Sequence, residues 1–366
     1  MTTVPDGVEV VATSAEAAEL PMPPFLIIEN LTEYFDREGL SIGELSWRRI
    51  GEGHSNVTYA IRRGNTRFVL RRGPRPPHPP TTHDMVREAG LLLKLGRAGV
   101  LVPTVVSTCT DDSVIGVPFY VMNFIDGVVI TDSLPSYLAP VELRETIAIA
   151  AANSLAHLHL IDVSTGELSN VGRPEGYLLR QVDRFGSLWS INSTREIRSV
   201  ERIQSWLRDN LPISQATTVV HGDFRIGNLM YALDSPARVV AILDWEMATL
   251  GDPLADLGYL TATYAQEGVT RTPLELTPVT RLEGFPSRDD LIAEYHSTNP
   301  LDMTALPWYQ TLALWKAAIF CEALYSRWLD GERPEDKGFL PSLQEGVPLL
   351  LSQAAEFSGI TGVGNA

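Results

Sequence analysis

The sequence contains few of the features that disulfide-rich, exported or membrane-spanning proteins need. Only two cysteines, Cys109 and Cys321, occur among the 366 residues, and their wide separation excludes a disulfide framework. No apolar run approaches the roughly 20 residues that a membrane-spanning helix requires. The N-terminal residues have neither the basic region nor the apolar core of a signal peptide. We therefore expect a cytoplasmic protein with reduced thiols and no membrane partner.

Basic residues are also scarce. The chain has 29 Lys and Arg against 45 Asp and Glu, and its formal net charge is −16. Nucleic acids and anionic membranes attract net basic surfaces, so neither is expected as a partner. An acidic chain is compatible with a cationic substrate, although net charge is a weak guide to one pocket. The length predicts about two domains, and nothing in the pattern indicates an oligomeric state.

Two acidic stretches contain residues suited to phosphoryl transfer. The first, HGDFRIGNLM, contains Asp223 and, five residues later, Asn228; the second, AILDWEMATLGDPLADL, contains Asp244. Phosphoryl transfer from a metal nucleotide needs a carboxylate that takes the proton of the acceptor hydroxyl, and oxygen ligands for Mg²⁺. Protein kinases fill these roles with an Asp, an Asn five residues on and a later Asp. The alternative is that Asp223 caps a turn and Asp244 a strand end.

The segment between these stretches predicts a hairpin. Residues 229–233 and 238–243 are apolar runs, and they flank the turn signal Asp234, Ser235 and Pro236. A hairpin would bring Asp223 and Asp244 back to the same end.

Upstream, a turn of small residues lies among predicted strands. Residues 47–70 read as three strands, and their first turn is GEGHSN. Such a turn can bring backbone N–H groups against phosphate oxygens, which makes Gly51, Gly53, Ser55 and Asn56 candidates for nucleotide binding. An ordinary β-turn is the alternative.

A basic residue ends the third predicted strand, and an acidic residue lies on the helix that follows. The helix is expected over residues 85–95, with an apolar face formed by Met85, Val86, Ala89, Leu92 and Leu93. Glu88 lies amid that face, so it should have a cationic partner, and Arg71 or Arg72 is the nearest candidate. Arg71 and Glu88 are therefore candidates for the nucleotide site. The alternative is a partly solvated Glu88 on the helix flank.

The composition changes from β-rich to helix-rich at NFIDG, Asn123 to Gly127. We place the boundary between two lobes here, where extended backbone could hydrogen-bond an adenine edge through Asn123 and Ile125. The predicted divisions are an N-terminal arm and short helix at 1–40, a nucleotide-binding lobe at 41–123 and a catalytic, substrate-binding lobe at 124–366. Residues 1–24 are acidic, small and Pro-rich, which is typical of a loose arm or a strap.

The second lobe is expected to be mainly helical. One core helix is predicted near residues 147–160, a second helix over 177–189 and a third over 308–329. The third has an apolar stripe that should be buried or line a groove, formed by Trp308, Leu312, Trp315, Ile319 and Phe320.

The chain resembles the aminoglycoside phosphotransferase and choline kinase superfamily from about residue 51 to 327. The strongest element is HGDFRIGNLM followed by ILDWE and GDPLADL, and the turn GEGHSNVTY and the pairing of VLRR with Glu88 agree with it in order. The run GDPLADLGYL and the late helix WKAAIFCEALYSRWLDGE are most similar to the branch also found fused to acyl-CoA dehydrogenases.

This resemblance implies a two-lobed, protein-kinase-like α/β (α+β) fold. Its N-lobe would contain an antiparallel sheet and a helix, and its larger C-lobe would be mainly helical. It implies Asp223 as the base, Asn228 and Asp244 as Mg²⁺ ligands, and the turn from Gly51 to Asn56 over the phosphates of ATP. It also implies that Asp256 braces the catalytic loop from below and that His221 supports this loop.

Some positions depart from the protein-kinase pattern. Arg71 stands where protein kinases have Lys, which retains the charge in a larger, planar group. Only seven residues separate Asp244 from Asp252, which leaves little room for an activation loop that docks a polypeptide. We infer a small-molecule acceptor.

We therefore predict a magnesium-dependent enzyme that transfers the γ-phosphoryl group of ATP to a hydroxyl of a small molecule. The acceptor is either aminoglycoside-like or another hydroxylated metabolite, including a hydroxyacyl one. Exposed Arg180, Arg184 and Lys316 would favour anions, whereas acidic side chains on the same helices would favour amines. The alternatives are a catalytically silent nucleotide-binding protein and a metal phosphohydrolase, which needs more closely gathered histidines. Glu246 is a further candidate for a second Mg²⁺ or the acceptor.

Overall fold

The structure, a computed structural model, describes residues 2–4, 7–51, 56–75, 84–332 and 336–361. Within these ranges the chain forms thirteen strands and ten α-helices, and it divides into two units, Met1–Asp126 and Gly127–Ala366. No helix of the described part combines the length and apolarity needed to cross a membrane.

The first unit is built around an antiparallel sheet. Its strands are β1 (Thr2–Val4), β2 (Gly7–Val11), β3 (Leu26–Ile27), β4 (Leu45–Ile50), β5 (Val57–Arg63), β6 (Thr66–Arg72), β7 (Val105–Cys109) and β8 (Phe119–Asn123). Its helices are α1 (Ser14–Ala18), α2 (Ile28–Arg37) and α3 (Met85–Arg97). The five later strands pair in the order β4-β5-β6-β8-β7, and Gly64 and Asn65 form the predicted turn between β5 and β6.

Burial follows the periods of the elements. Alternate residues Val57, Tyr59 and Ile61 of β5 are buried, as expected for a strand with one face on the core. The predicted helix at 85–95 extends to Arg97, and Glu88 on its inner face is only 3% exposed. The prediction was wrong for Val86, which is 41% exposed because it lies beyond the edge of the buried stripe.

The described part of residues 1–24 forms a strap. Strand β2 pairs antiparallel with β1 and parallel with β3, which fixes it to the unit through backbone hydrogen bonds. Glu9 of β2 is buried; its Oε1 accepts a hydrogen bond from Tyr59 Oη at 3.0 Å and lies 3.5 Å from Arg49 Nη1. A buried carboxylate with these partners is a stable anchor, so the strap is preferred over the loose arm.

The second unit is mainly helical. Its helices are α4 (Val141–His159), α5 (Tyr177–Asn192), α6 (Arg198–Asp209), α7 (Leu254–Thr263), α8 (Arg288–Thr298), α9 (Leu306–Leu329) and α10 (Phe339–Ser358). Its strands are β9 (Val128–Val129), β10 (Thr218–Val220), β11 (Leu229–Tyr231), β12 (Val239–Ile242) and β13 (Thr249–Gly251). The strands form two small antiparallel sheets, β10-β13 and β12-β11-β9.

The long helices supply the core of this unit. The stripe predicted for α4 is buried at Ile147, Ala151 and Leu155. The stripe on α9 is buried except for Phe320, which is 57% exposed, so the prediction that it is buried was wrong. The inward face of this helix includes Ile319 and Cys321, and Phe320 lies between them on the outward side. Both cysteines of the chain are free and buried.

Candidate active site

The loop between β10 and β11 holds the predicted catalytic residue. The side chain of Asp223 is 23% exposed, and its Oδ2 accepts a hydrogen bond from Asn228 Nδ2 at 2.8 Å. The same nitrogen donates to the backbone oxygen of Asp223, also at 2.8 Å. These two bonds hold the Asn228 carboxamide against the carboxylate of Asp223, five residues earlier in the chain. They also leave the Oδ1 carbonyl of Asn228 as the atom that can bind a cation.

The β11–β12 hairpin brings the second acidic stretch to the same place. Leu229 pairs with Ile242, and the N–H of Leu243 donates to Asn228 O at 2.8 Å. Asp244 therefore follows directly after a residue bonded to Asn228. Its φ of 66° lies in the left-handed region, which Asp tolerates better than most residues and which often occurs at functional sites. The predicted pair of magnesium ligands thus lies at one end of the hairpin.

Asp256, at the start of α7, supports the catalytic loop. Its side chain is completely buried, and its two oxygens accept hydrogen bonds from the backbone N–H groups of His221 and Gly222, at 2.6 and 2.8 Å. His159 Nε2 lies 3.3 Å from Asp256 Oδ2. Burial raises the pKa of the Asp256 carboxyl, but the hydrogen bond and positive field of His159, with the loop donors, outweigh burial and lower it overall. Asp256 is therefore a charged anchor of the loop.

His221 also supports the catalytic loop. Its Nδ1 accepts from the N–H of Asp223 at 3.2 Å, and its Nε2 lies 2.8 Å from Leu243 O, a carbonyl that can only accept. Both bonds are satisfied only if the ring is neutral and carries its proton on Nε2. His221 therefore holds the two acidic stretches together and has no ring nitrogen left for catalysis or for a metal.

Gly222 is required by the shape of the loop. Its φ is +88°, and a Cβ at this position would lie 3.0 Å from Met247 Cβ and from Met247 O. A side chain here would combine an unfavourable backbone conformation with a close contact to the segment after Asp244. This position cannot hold the Arg that protein kinases have before the catalytic Asp.

Two further residues lie against Asp223, and the sequence reasoning missed both. Arg225 Nε is 3.6 Å from Asp223 Oδ2, an ion pair that is too long for a hydrogen bond. The hydroxyl of Tyr259 on α7 also faces Asp223; burial and this carboxylate raise the tyrosine pKa well above its usual value. Arg225 could have been found from its place two residues after Asp223. Tyr259 had only its position three residues after Asp256 as a signal.

The predicted nucleotide-binding residues lie in the first unit. Arg71 Nε on β6 is 3.3 Å from Glu88 Oε1 on α3, so the structure brings together the pair that the sequence predicted. Gly51, with a φ of +76°, follows β4, and buried Asn56 precedes β5, whereas Gly53 and Ser55 lie outside the described residues. Asn123 ends β8 with its N–H donating to Thr104 O, and Ile125 follows in the segment before Gly127.

The oxygens at the end of the hairpin fit Mg²⁺. Asn228 offers a carbonyl and Asp244 a carboxylate, the ligand types that a hard cation prefers. In the described ranges, no cluster of three or more His, Cys, Asp or Glu side chains is arranged to hold a metal by protein groups alone. This set suits Mg²⁺, which is commonly bound by one or two protein oxygens together with the phosphates of a nucleotide. Glu246 lies half-buried two residues beyond Asp244.

The sequence matches the APH model, the phosphotransferase enzyme family, over residues 46–277, which is well over half of the chain. The chain belongs to this family. The matched range contains both acidic stretches, the Arg71–Glu88 pair and Asp256. Membership confirms the prediction that the chain belongs to a family of phosphotransferase enzymes.

Curated relatives are longer than this chain. Mouse acyl-CoA dehydrogenase family member 10 is 34% identical over 304 residues, which cover 80% of this chain and 27% of that protein. Chicken acyl-CoA dehydrogenase family member 11 is 33% identical over 330 residues, which cover 87% of this chain and 42% of that protein. The chain thus spans less than half the length of these relatives, and the similarity to the predicted branch is confirmed.

Solved structures confirm the fold. A protein from Ralstonia eutropha JMP134, provisionally named an aminoglycoside phosphotransferase, superposes with a TM-score of 0.76 at 26% identity, covering 90% of this chain and 98% of that one. A thermostable mutant of aminoglycoside phosphotransferase APH(4)-Ia, in ternary complex with AMP-PNP and hygromycin B, gives a TM-score of 0.57 at 12% identity, covering 91% and 99%. The mixed α/β, kinase-like fold predicted from the sequence is therefore correct.

Proposed function

We propose that the protein transfers the γ-phosphoryl group of ATP to a hydroxyl of a small molecule, with Asp223 as the base. The observation that carries this proposal is the cluster of Asp223, Asn228 and Arg225. Asp223 is partly exposed and can reach a hydroxyl, and its carboxylate is oriented by the Asn228 amide. A nucleotide-binding protein without catalytic activity would not need an oriented base.

The transfer forms one bond to the γ-phosphorus and breaks another. The acceptor oxygen forms a bond to the γ-phosphorus, the bond from that phosphorus to the bridging oxygen breaks, and ADP leaves. The hydroxyl proton passes to a carboxylate oxygen of Asp223, either Oδ1 or Oδ2. Loss of this proton stabilises the transition state in which the acceptor oxygen attacks.

Arg225 supports an anionic group at this position. Its Nε is buried and, among the described residues, has no hydrogen-bond acceptor. The side chain as a whole is 21% exposed, and its positive charge beside Asp223 would stabilise the negative charge of the transferring phosphoryl group.

The remaining nucleotide contacts are assigned by residue type. Asn228 Oδ1 and Asp244 would hold Mg²⁺, and the ion, when bound, neutralises the charge of the phosphates. We assign Arg71, oriented by Glu88, and the turn from Gly51 to Asn56 to the phosphates. Use of ATP is supported by the nucleotide AMP-PNP in a structurally similar phosphotransferase.

The test is transfer of label from γ-labelled Mg·ATP to a panel of hydroxylated compounds, namely aminoglycosides, choline-like amines and hydroxyacyl thioesters. We expect Asp223→Asn to lower kcat by about 10²–10⁴-fold on the labelled compound while the Kd for ATP stays within about twofold. Asp234→Asn is the matched control, because Asp234 is exposed in the β11–β12 turn and pairs with Arg238 in a surface ion pair.

Three other outcomes separate the alternatives. ATP binding without transfer to any compound, equal in both variants, would favour the catalytically silent nucleotide-binding protein. Equal transfer by the parent and Asp223→Asn would exclude Asp223 as the base. Failure to bind ATP would exclude the kinase proposal altogether.

A further inference from the structure

Helices α5 and α9 of the second unit carry an unbalanced set of charges. Helix α5 contains Arg180, Asp183 and Arg184, and α9 contains Lys316, Glu322 and Arg327. The two helices pack against each other, so the balance between their charges decides what a molecule at this position would encounter.

Both carboxylates of the two helices are neutralised by arginines from other elements. Asp183 Oδ1 lies 2.6 Å from Arg208 Nη2 on α6. Glu322 is completely buried, and each of its oxygens accepts from Arg195 Nε at 3.1 Å, with a second bond from Arg195 Nη2. Glu322 is therefore not available to attract an amine, whereas Asp183 is half exposed and shares its charge with Arg208 in a surface ion pair.

The basic side chains are not neutralised in the same way. Lys316 is half-buried, and its Nζ donates to Gln181 Oε1 at 3.0 Å and lies 4.7 Å from the centre of the Phe185 ring. Arg184 is exposed one turn further along α5 from Gln181, and in the described ranges it has no carboxylate partner. Arg180 differs, because its guanidinium donates to the backbone oxygens of Glu175 and Arg173. Arg184 and Lys316 together are called the basic pair below.

The electrostatic state of Lys316 is consistent with this environment. Burial lowers its pKa to about 8, the field of Asp256 on α7 raises it, and the field of Arg184 on α5 lowers it. An amide oxygen and a ring face compensate an ammonium group less well than a carboxylate does. An anion at this position would restore the missing compensation.

Two observations connect the helices of the basic pair with the elements that hold the catalytic loop. The ring of Tyr177, the first residue of α5, packs directly on Gly251 of β13, so closely that a Cβ at Gly251 would be 2.8 Å from the ring. Strand β13 pairs with β10, which leads into the catalytic loop. Lys316 also lies within the electrostatic field of Asp256, which holds that loop.

We propose that the acceptor carries an anionic group, a carboxylate or a phosphate, and that Arg184 and Lys316 bind this group. The inference rests on the proposed function, since it names the class of acceptor for that reaction. It runs against the expectation from the net charge of −16, because both carboxylates of α5 and α9 are paired with arginines whereas Arg184 and Lys316 have no such ion pair in the described ranges.

The first test measures label transfer from γ-labelled Mg·ATP to four pools of hydroxylated compounds, which are cationic, neutral, carboxylate-bearing or phosphate-bearing. We expect transfer in the carboxylate pool or the phosphate pool, and the labelled pool identifies the source of the charge. Equal or better transfer to cationic or neutral compounds would overturn the inference and leave the proposed function intact. No transfer in any pool would overturn both.

The second test compares variants of the full chain on the labelled anionic compound. We expect Lys316→Gln to raise the KM of that compound by about tenfold or more, with kcat and the KM of ATP changed by less than about threefold. Lys316→Arg should restore the KM. The control Arg198→Gln removes a charge from the exposed start of α6 and should change neither constant. An unchanged KM in Lys316→Gln would overturn the inference.

The pH dependence of the KM of the anionic compound shows whether Lys316 acts through its charge or through its shape. Lys316 is charged below its pKa of about 8 and loses its charge above it, so the KM of the anionic compound should rise above pH 8 in the parent protein. In Lys316→Arg the charge persists, and the KM should stay level over the same range. A rise of the same size in both proteins would overturn the assignment of Lys316.

Discussion

Asp256 and Lys316 are two charged side chains in the interior of the second unit, and the structure compensates them very differently. Asp256 accepts hydrogen bonds from two backbone N–H groups and lies beside His159, so its negative charge is surrounded by donors. Lys316 has one amide oxygen and the face of a ring. As a result, the pKa of Asp256 is lowered, which favours its charged form, and the pKa of Lys316 is also lowered, which disfavours its charged form.

The difference indicates what each charge is for. A buried charge whose partners are all present stabilises the arrangement of those partners, and its removal leaves them without a counterpart. A buried charge with partial compensation destabilises the fold, and such groups concentrate at functional sites. Asp256 is therefore expected to behave as a structural anchor and Lys316 as a ligand-binding group, which gives opposite predictions for the two substitutions.

The largest effect is expected for Asp256→Ala. The substitution leaves the N–H groups of His221 and Gly222 buried without an acceptor, so the free energy of unfolding should fall by about 3–5 kcal/mol in urea denaturation. Asp256→Asn keeps one acceptor and should lose less, and the exposed Asp234→Ala should lose almost nothing. An Asp256→Ala protein as stable as its parent would show that the loop does not depend on this carboxylate.

The pH dependence of the free energy of unfolding, compared between the parent and Asp256→Asn, tests the same role of Asp256. The folded pKa of Asp256 lies below its ordinary value of 3.8, so the stabilisation is present above pH 3.8 and is lost as the pH falls through the folded pKa. The difference in unfolding free energy between the parent and Asp256→Asn should therefore narrow in acid. A difference that is constant down to the acid transition would mean that the charge of Asp256 contributes nothing.

An effect of opposite sign is expected for Lys316→Met. Methionine retains the length of the side chain and removes the charge, and the pKa change from 10.5 to about 8 corresponds to a gain on the order of 1–2 kcal/mol after the lost bond to Gln181 is counted. The melting temperature should rise. Lys337→Met, at an exposed position, is the control and should change the free energy by less than about 0.5 kcal/mol.

The gain of Lys316→Met should also depend on pH. Between pH 8 and 10.5 the unfolded parent binds more protons than the folded parent, so the stability of the parent rises with pH relative to that of the variant. The advantage of the variant should shrink across this range. If the free energy of unfolding of Lys316→Met is lower than that of the parent at every pH, the ammonium group stabilises the fold and is not held there at a cost for ligand binding.

The sequence was sufficient where the chemistry depends on neighbours along the chain. The spacing of Asp223 and Asn228 and the turn signal at Asp234 to Pro236 predicted a loop and a hairpin that the structure shows. The inward position of Glu88 within an apolar face predicted a cationic partner, either Arg71 or Arg72, and the structure pairs it with Arg71. In these cases, a local period or a fixed offset determines which side chains meet.

The sequence was insufficient where contacts join distant segments. The contact of Tyr259 with Asp223 depends on how α7 packs beside the catalytic loop, and no offset predicts it. The exposure of Phe320 depends on which neighbours cover α9, although the residue fits the apolar period. The weak compensation of Lys316 could not be predicted either, because the partners of Asp183 and Glu322 come from other elements.

The smallest effect is expected at the outer edge of the Asp256 cluster. Tyr295 Oη lies 2.7 Å from His159 Nδ1, and His159 Nε2 faces Asp256. Tyr295→Phe removes the hydroxyl that is hydrogen-bonded to this imidazole and orients it, and it should lower the free energy of unfolding by about 1 kcal/mol. If the effect passes through Asp256, it should be smaller in an Asp256→Asn background, because the coupled partner is already weakened.

A second tyrosine provides the control for this cycle. Tyr264 Oη donates to Pro286 O at 3.0 Å, and nothing in that bond involves Asp256. Tyr264→Phe should therefore cost about the same in the parent and in Asp256→Asn. Equal behaviour of the two tyrosines would mean that the support of Asp256 ends at His159. A coupling found only for Tyr295 would extend the anchored cluster from the catalytic loop through His159 to α8. It would complete the contrast with Lys316, whose direct contacts in the described ranges are one amide oxygen and one ring face.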